Sequence, residues 1–93
     1  MREIDWTGQF KRDYKREGKG QHRLTLDEQL FAVVEDLAND VALEPKLRDH
    51  ALTGEWKDSR DCHIKPDLVL IYQKPDTKTL RLVRLGSHSE LGI

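Results

Sequence analysis

Two Pro-Asp dipeptides, Pro66–Asp67 and Pro75–Asp76, cut the second half of the chain into three strand-length segments, RDCHIK, LVLIY and TLRLVRL. Proline fixes its own φ and lacks the N–H that a sheet ladder needs, and aspartate favours reversals, so each dipeptide ends one strand and turns the chain. Segments joined this tightly pair as an antiparallel meander, because a parallel neighbour needs a crossover of a dozen or more residues. The middle segment is apolar throughout, as expected of a central strand. In RDCHIK successive side chains point to opposite faces. Cys62 and Ile64 therefore share the core face, and Asp61 and His63 point together to the other.

The first half supplies what covers this sheet. REIDW reads as a short strand, and Thr7 caps a helix over 8–17 that buries Phe10 and Tyr14 at i, i+4. After the loop EGKGQHR, a second helix follows in TLDEQLFAVVEDLANDV. Thr25 and Glu28 match the capping-box pattern, and Leu26, Leu30, Val33, Val34, Leu37 and Val41 recur at helical spacing. LRDHALTGEWKDS reads as a loop broken by Gly54. The order is β-α-α-β-β-β, an α+β fold with two helices packed on one face of a mainly antiparallel sheet. The other face, carrying Asp61 and His63, is left partly open. With 93 residues, the expectation is one domain spanning 1–93.

Charge excludes some functions. The net charge is −1, but residues 1–20 carry +2, residues 21–45 carry −5 and residues 46–93 carry +2. That distribution argues against a general nucleic-acid binder and leaves room for a local anion site. No apolar run approaches the roughly 20 residues of a membrane span, and the N-terminus lacks a signal-peptide core. A single cysteine, Cys62, fits a reducing cytoplasm.

The remaining polar residues define a chemistry. His50, Asp61, His63, Asp67, Arg84 and His88 lie on or beside the meander. Side chains on one face of its outer strands can converge across the central one; for Arg84 and His88 this requires the last strand to run on to His88. Nucleophile motifs and a P-loop are absent; two His and two Asp could ligate zinc, but no paired metal-ligand spacing is present, and general acid–base chemistry fits the set better. Histidine gives and takes protons near neutral pH, a neighbouring aspartate fixes its tautomer, and arginine neutralises phosphate. These are the groups needed to cleave RNA through its own 2′-OH.

The stretch D-H-x-L-x-G-x-W-K-x-x-R-D-x-H-x-x-P-D-x-x-L-I-Y, from Asp49 to Tyr72, followed by R-x-G-x-H from Arg84, resembles the YafQ-type branch of the RelE-like toxins of bacterial type II toxin–antitoxin systems. The resemblance implies the RelE-like microbial RNase fold and a metal-independent, ribosome-dependent mRNA endonuclease. It implies a cognate antitoxin, with operator DNA bound only through the toxin–antitoxin complex, and no membrane. It puts catalysis on His50, His63, Asp67 and His88, with Asp61 and Arg84 supporting. Toxins of this kind commonly carry an aromatic shortly after the last histidine; Gly92 stands there instead.

Each residue also has a plainer reading. Asp67 is a turn residue, Arg84 a cross-strand ion-pair partner, and Trp56 a packing residue. His22 is solvated and Cys62 a small buried hydrophobe. Lys57 and Lys65 are solvated or contact phosphate, and Lys11, Arg12, Lys15 and Arg16 form a solvated face or contact ribosomal RNA. The competing function on the same fold is a non-enzymatic, ParE-like inhibitor of gyrase, which has no need of the histidines. A metal-dependent nuclease built from the same His/Asp set is a third.

Overall fold

A computed structural model describes residues 1–93. A five-stranded sheet has the order β1-β5-β4-β3-β2, with β1 Glu3–Trp6, β2 His50–Ala51, β3 Arg60–Lys65, β4 Leu68–Gln73 and β5 Thr79–Gly86. The expected meander is β3-β4-β5, antiparallel throughout. β1 pairs parallel with β5, Ile4 opposite Leu80 and Trp6 opposite Leu82. A parallel partner is possible here because α1 (Gly8–Glu17) and α2 (Leu26–Ala38) lie between the two strands in sequence.

The main core lies between the helices and one sheet face. Leu26, Leu30, Val33, Val34 and Leu37 of α2 pack with Phe10 of α1 and with Cys62, Ile64, Leu70, Leu80 and Leu82 of the sheet. Each large aliphatic side chain fully buried there contributes about 1.5–3 kcal/mol. Cys62 is inert within it, its thiol pushed up to about 12 by burial.

Thr7 caps α1 as expected, accepting from the Phe10 N–H at 3.0 Å. Two expectations for α2 fail. Thr25 makes no side-chain cap bond, because its backbone is already helical (φ −118°, ψ −2°) and not extended as a cap requires. Val41 lies beyond the helix end and is exposed, since the chain reverses through Asp40 at φ 56°.

The segment read as loop contains the edge strand β2, flanked by 3-10 turns at Pro45–Leu47 and Gly54–Trp56. Two residues carry no periodicity, so β2 had no pattern to betray it. β5 stops at Gly86, short of His88, which opens a third helix, α3 (His88–Leu91). Ser87 caps α3 in a complete capping box with Glu90. The second sheet face is accordingly only partly open. Leu91 joins Val69 and Ile71 there, with Leu52, Trp56 and Ile93 against them, so Trp56 is a packing residue. No helix is long and apolar enough to cross a membrane.

Candidate functional site

Strand pairing brings the first part of the site together. His50 on β2 stands opposite Asp61 on β3, and strand alternation places His63 on the same face as Asp61. His88, at the first turn of α3, comes in from β5, its ring centroid 5.0 Å from that of His63 and the planes inclined at 58°. Four of the residues chosen from sequence, His50, Asp61, His63 and His88, are therefore neighbours.

Their electrostatics differ. The His50 Nδ1–H donates to the Arg48 carbonyl at 2.7 Å; a carbonyl can only accept, so a proton sits on Nδ1. Asp61 Oδ1 is also 3.0 Å from His50 Nδ1, but off the line of the N–H, and it is the chain's buried side-chain oxygen without a hydrogen bond. Leaving such an acceptor unpaired costs about 1–3 kcal/mol. Burial raises the Asp61 pKa, against the pull of His50, His63 and His88. Burial lowers the pKa of His63; Asp61 opposes this, and His88, Arg48 and His50 reinforce it. His63 is thus neutral at pH 7.

His63 and His88 face a cleft of about 600 Å³ whose wall includes Lys46, Arg48, Lys65 and Pro66. His50 and Asp61 are not among the residues that line it. Two of these cations were not singled out from sequence. Arg48 has a left-handed backbone, φ 51° and ψ 43°, where the turn Pro45–Leu47 enters β2. This conformation costs an L-residue about 1–2 kcal/mol, and nothing in the local sequence announces it. The same connection is fixed by Asp49, which accepts from Arg60 Nε at 3.1 Å and from the Tyr72 hydroxyl at 2.6 Å.

The other chosen residues have different partners. Asp67 lies at the rim beside Pro66 and accepts from Gln21 Nε2 at 2.8 Å, with His22 Nε2 at 3.0 Å. His22 is therefore half-buried against a carboxylate, not simply solvated. Arg84 holds Asp13 on α1 through Nε at 2.7 Å and a second bond at 3.3 Å. Asp13, fully buried, also accepts from the Leu85 N–H at 3.0 Å and from Arg16 at 3.1 Å. Burial alone would raise its pKa, but the bonds from Arg84, Leu85 and Gln9 bring it below the usual carboxylate value. Arg16 further donates to the Leu85 carbonyl and pairs with Glu17 and Glu90, so it ties α1 to β5 and α3. Arg12 bonds Gln9, and Lys11 borders a stack of Trp6, Phe10, Tyr14 and Phe31. Lys15 and Lys57 are exposed.

Fold and cleft together define a small α+β protein with a cluster of histidines and a buried aspartate beside a cation-lined cleft. The family described as "Bacterial toxin of type II toxin-antitoxin system, YafQ" matches residues 2–92. The mRNA interferase toxin YafQ of Escherichia coli K12 is 36% identical over 91 residues, covering 98% of this chain and 96% of the relative. A metal-bound toxin from Helicobacter pylori is 45% identical, with a TM-score of 0.81 over 98% of this chain and 99% of that one. YafQ in the E. coli DinJ–YafQ complex is 33% identical, with a TM-score of 0.79 over 98% of each chain. The chain belongs to the YafQ family of type II toxins.

Proposed function

We propose that this chain is an mRNA interferase that cuts ribosome-bound mRNA, with His63 and His88 as its proton-transfer pair. The observation that carries this reading is their juxtaposition, 5.0 Å between ring centroids, on a cation-lined cleft with the buried Asp61 near both. His63, held neutral, takes the proton from a ribose 2′-OH. The 2′-oxygen attacks the adjacent phosphorus, the bond to the 5′-oxygen breaks, and His88 protonates that oxygen as it leaves. The products are a 2′,3′-cyclic phosphate and a 5′-hydroxyl, and no water, metal or cofactor enters the balance. Asp61 stabilises the imidazolium formed on His63. His50, its Nδ1 proton fixed by the Arg48 carbonyl, stands beside Asp61 as a further proton-transfer group. Asp67 joins as a rim carboxylate when its contacts to Gln21 and His22 open, and Arg84 supports the site by locking β5 to α1.

The chain works as one domain in the cytoplasm, with the ribosome, mRNA and a cognate antitoxin as partners. Operator DNA is reached only through the toxin–antitoxin complex. The E. coli relative's complex with DinJ supports the antitoxin.

The test is primer-extension mapping of mRNA cuts in a reconstituted translation system, with and without ribosomes. His63→Ala and His88→Ala are each expected to lower the cleavage rate by about 10²–10⁴-fold. Undiminished cutting by both variants would refute the assignment, and gyrase inhibition without RNA cleavage would favour the ParE-like alternative. Because the H. pylori relative binds a metal, the same assay with EDTA at constant free magnesium checks metal independence. Loss of cutting there, restored by a transition metal, would replace this mechanism with a metal-assisted one.

A further inference from the structure

Attack by a 2′-oxygen builds negative charge on the non-bridging oxygens of the phosphate, and a cation must stand within contact of them. Arg84 is committed elsewhere. It makes two hydrogen bonds to the buried Asp13, and moving it to the cleft would strand that carboxylate. Arg48 is uncommitted. It is exposed, it enters none of the chain's ion pairs, and it lines the same cleft as His63 and His88. Its charge reaches His63, where it is one of the causes that disfavour protonation.

The backbone of Arg48 sharpens the point. At φ 51° the left-handed turn aims the residue's carbonyl at His50 Nδ1. Any residue could supply that carbonyl, and glycine would adopt the conformation with less strain. What arginine adds at this position is its side chain, a planar fork of donors matched to two phosphate oxygens at once.

We propose that Arg48 binds the scissile phosphate and stabilises its pentacoordinate transition state, with Lys65 and Lys46 flanking it on the neighbouring phosphates. The assignment rests on the RNA-cleavage reading above. It makes the segment that places the His50 ring also the segment that places the phosphate, so one turn sets two parts of the reaction.

The test is single-turnover cleavage of ribosome-bound mRNA by wild type, Arg48→Gly and Arg48→Lys, alongside the melting temperature of each. Arg48→Gly relieves the left-handed strain, so its melting temperature is expected to match or exceed that of wild type. Its cleavage rate at saturating ribosome is expected to fall about 100-fold, as on removal of one oxyanion donor, and Arg48→Lys is expected to fall between the two. Arg48→Gly cleaving within threefold of wild type would overturn the proposal, as would a loss of rate that merely follows a loss of stability. Wild type that cuts with its His63 and His88 variants inactive, but with Arg48→Gly unimpaired, would remove this inference alone. Wild type that cuts no mRNA would remove the function and this inference together.

Discussion

In the proposed mechanism, His63 is a residue through which pH acts on the site. Its pKa lies below the ordinary histidine value of about 6.5, chiefly because it is half-buried and partly because His88, Arg48 and His50 crowd it. As the neutral base it loses activity only when protonated, so the acid limb of the single-turnover rate profile is expected below pH ~6.5. Asp61 is the one named group that favours the imidazolium. Asp61→Asn therefore lowers the His63 pKa further and moves the limb to more acid pH, with a slower plateau. A limb that stays in place or moves to higher pH would show that Asp61 does not act on His63 by charge. Residues like these were legible from alternation, since Asp61 and His63 differ by two positions on a strand. Arg48 was not, because its conformation and its cleft exist only after the turn and β3 have met. Asp13 lay between: at i+3 from Phe10 it falls on the inward stripe of α1, and helical spacing could have marked it as buried.

At the scale of elements, α3 matters beyond its four residues. His88 is its first residue, and Ser87 and Glu90 hold that turn by reciprocal cap bonds. Ser87→Ala is expected to cost about 1 kcal/mol of stability. Its cleavage rate should fall further than the stability loss explains, because His88 is released with the cap; comparing urea midpoints with single-turnover rates checks this. Gly92 ends the same helix at φ 72°, a backbone that disfavours any side chain with a Cβ. The aromatic found at this place in related toxins would be strained here, although nothing lies within 4 Å of a Cβ at Gly92. Gly92→Phe tests whether stacking on a base is missing: a gain in cleavage despite a lower melting temperature is the expected outcome. The helices and the meander were plain in the sequence, from apolar spacing and Pro-Asp turns. The cap at Thr25 was not foretold correctly, because the S/T-x-x-E pattern is silent on whether the threonine backbone is extended.

For the whole molecule, Asp13 is the most consequential buried charge. It joins α1 to β5 through Arg84 and the Leu85 amide. Asp13→Ala removes the carboxylate and leaves a buried N–H unpaired, a loss on the order of 3 kcal/mol, readable as a lower urea midpoint at pH 7. Its folded pKa is depressed, so its contribution is complete above the unfolded value of about 3.9 and disappears as pH falls through the lower folded value. The gap in stability between wild type and Asp13→Ala should therefore shrink between pH 7 and pH 3. An unchanged gap would mean the carboxylate stabilises by packing, not by charge.

β2 is two residues long, sits at the edge of the sheet, and is exposed along its length. It nevertheless carries His50, and the turn before it carries Arg48. Local opening free energies range from near zero at such edges up to the global value in a central strand such as β4. The edge that carries Arg48 and His50 and the centre of the sheet thus belong to different stability classes. On warming, the amide hydrogens of 48–52 should exchange with solvent well before those of 68–73, and cleavage should fade while the core is still folded. Anything that binds across β2, whether ribosomal RNA or antitoxin, would then set activity by holding this one edge closed or open.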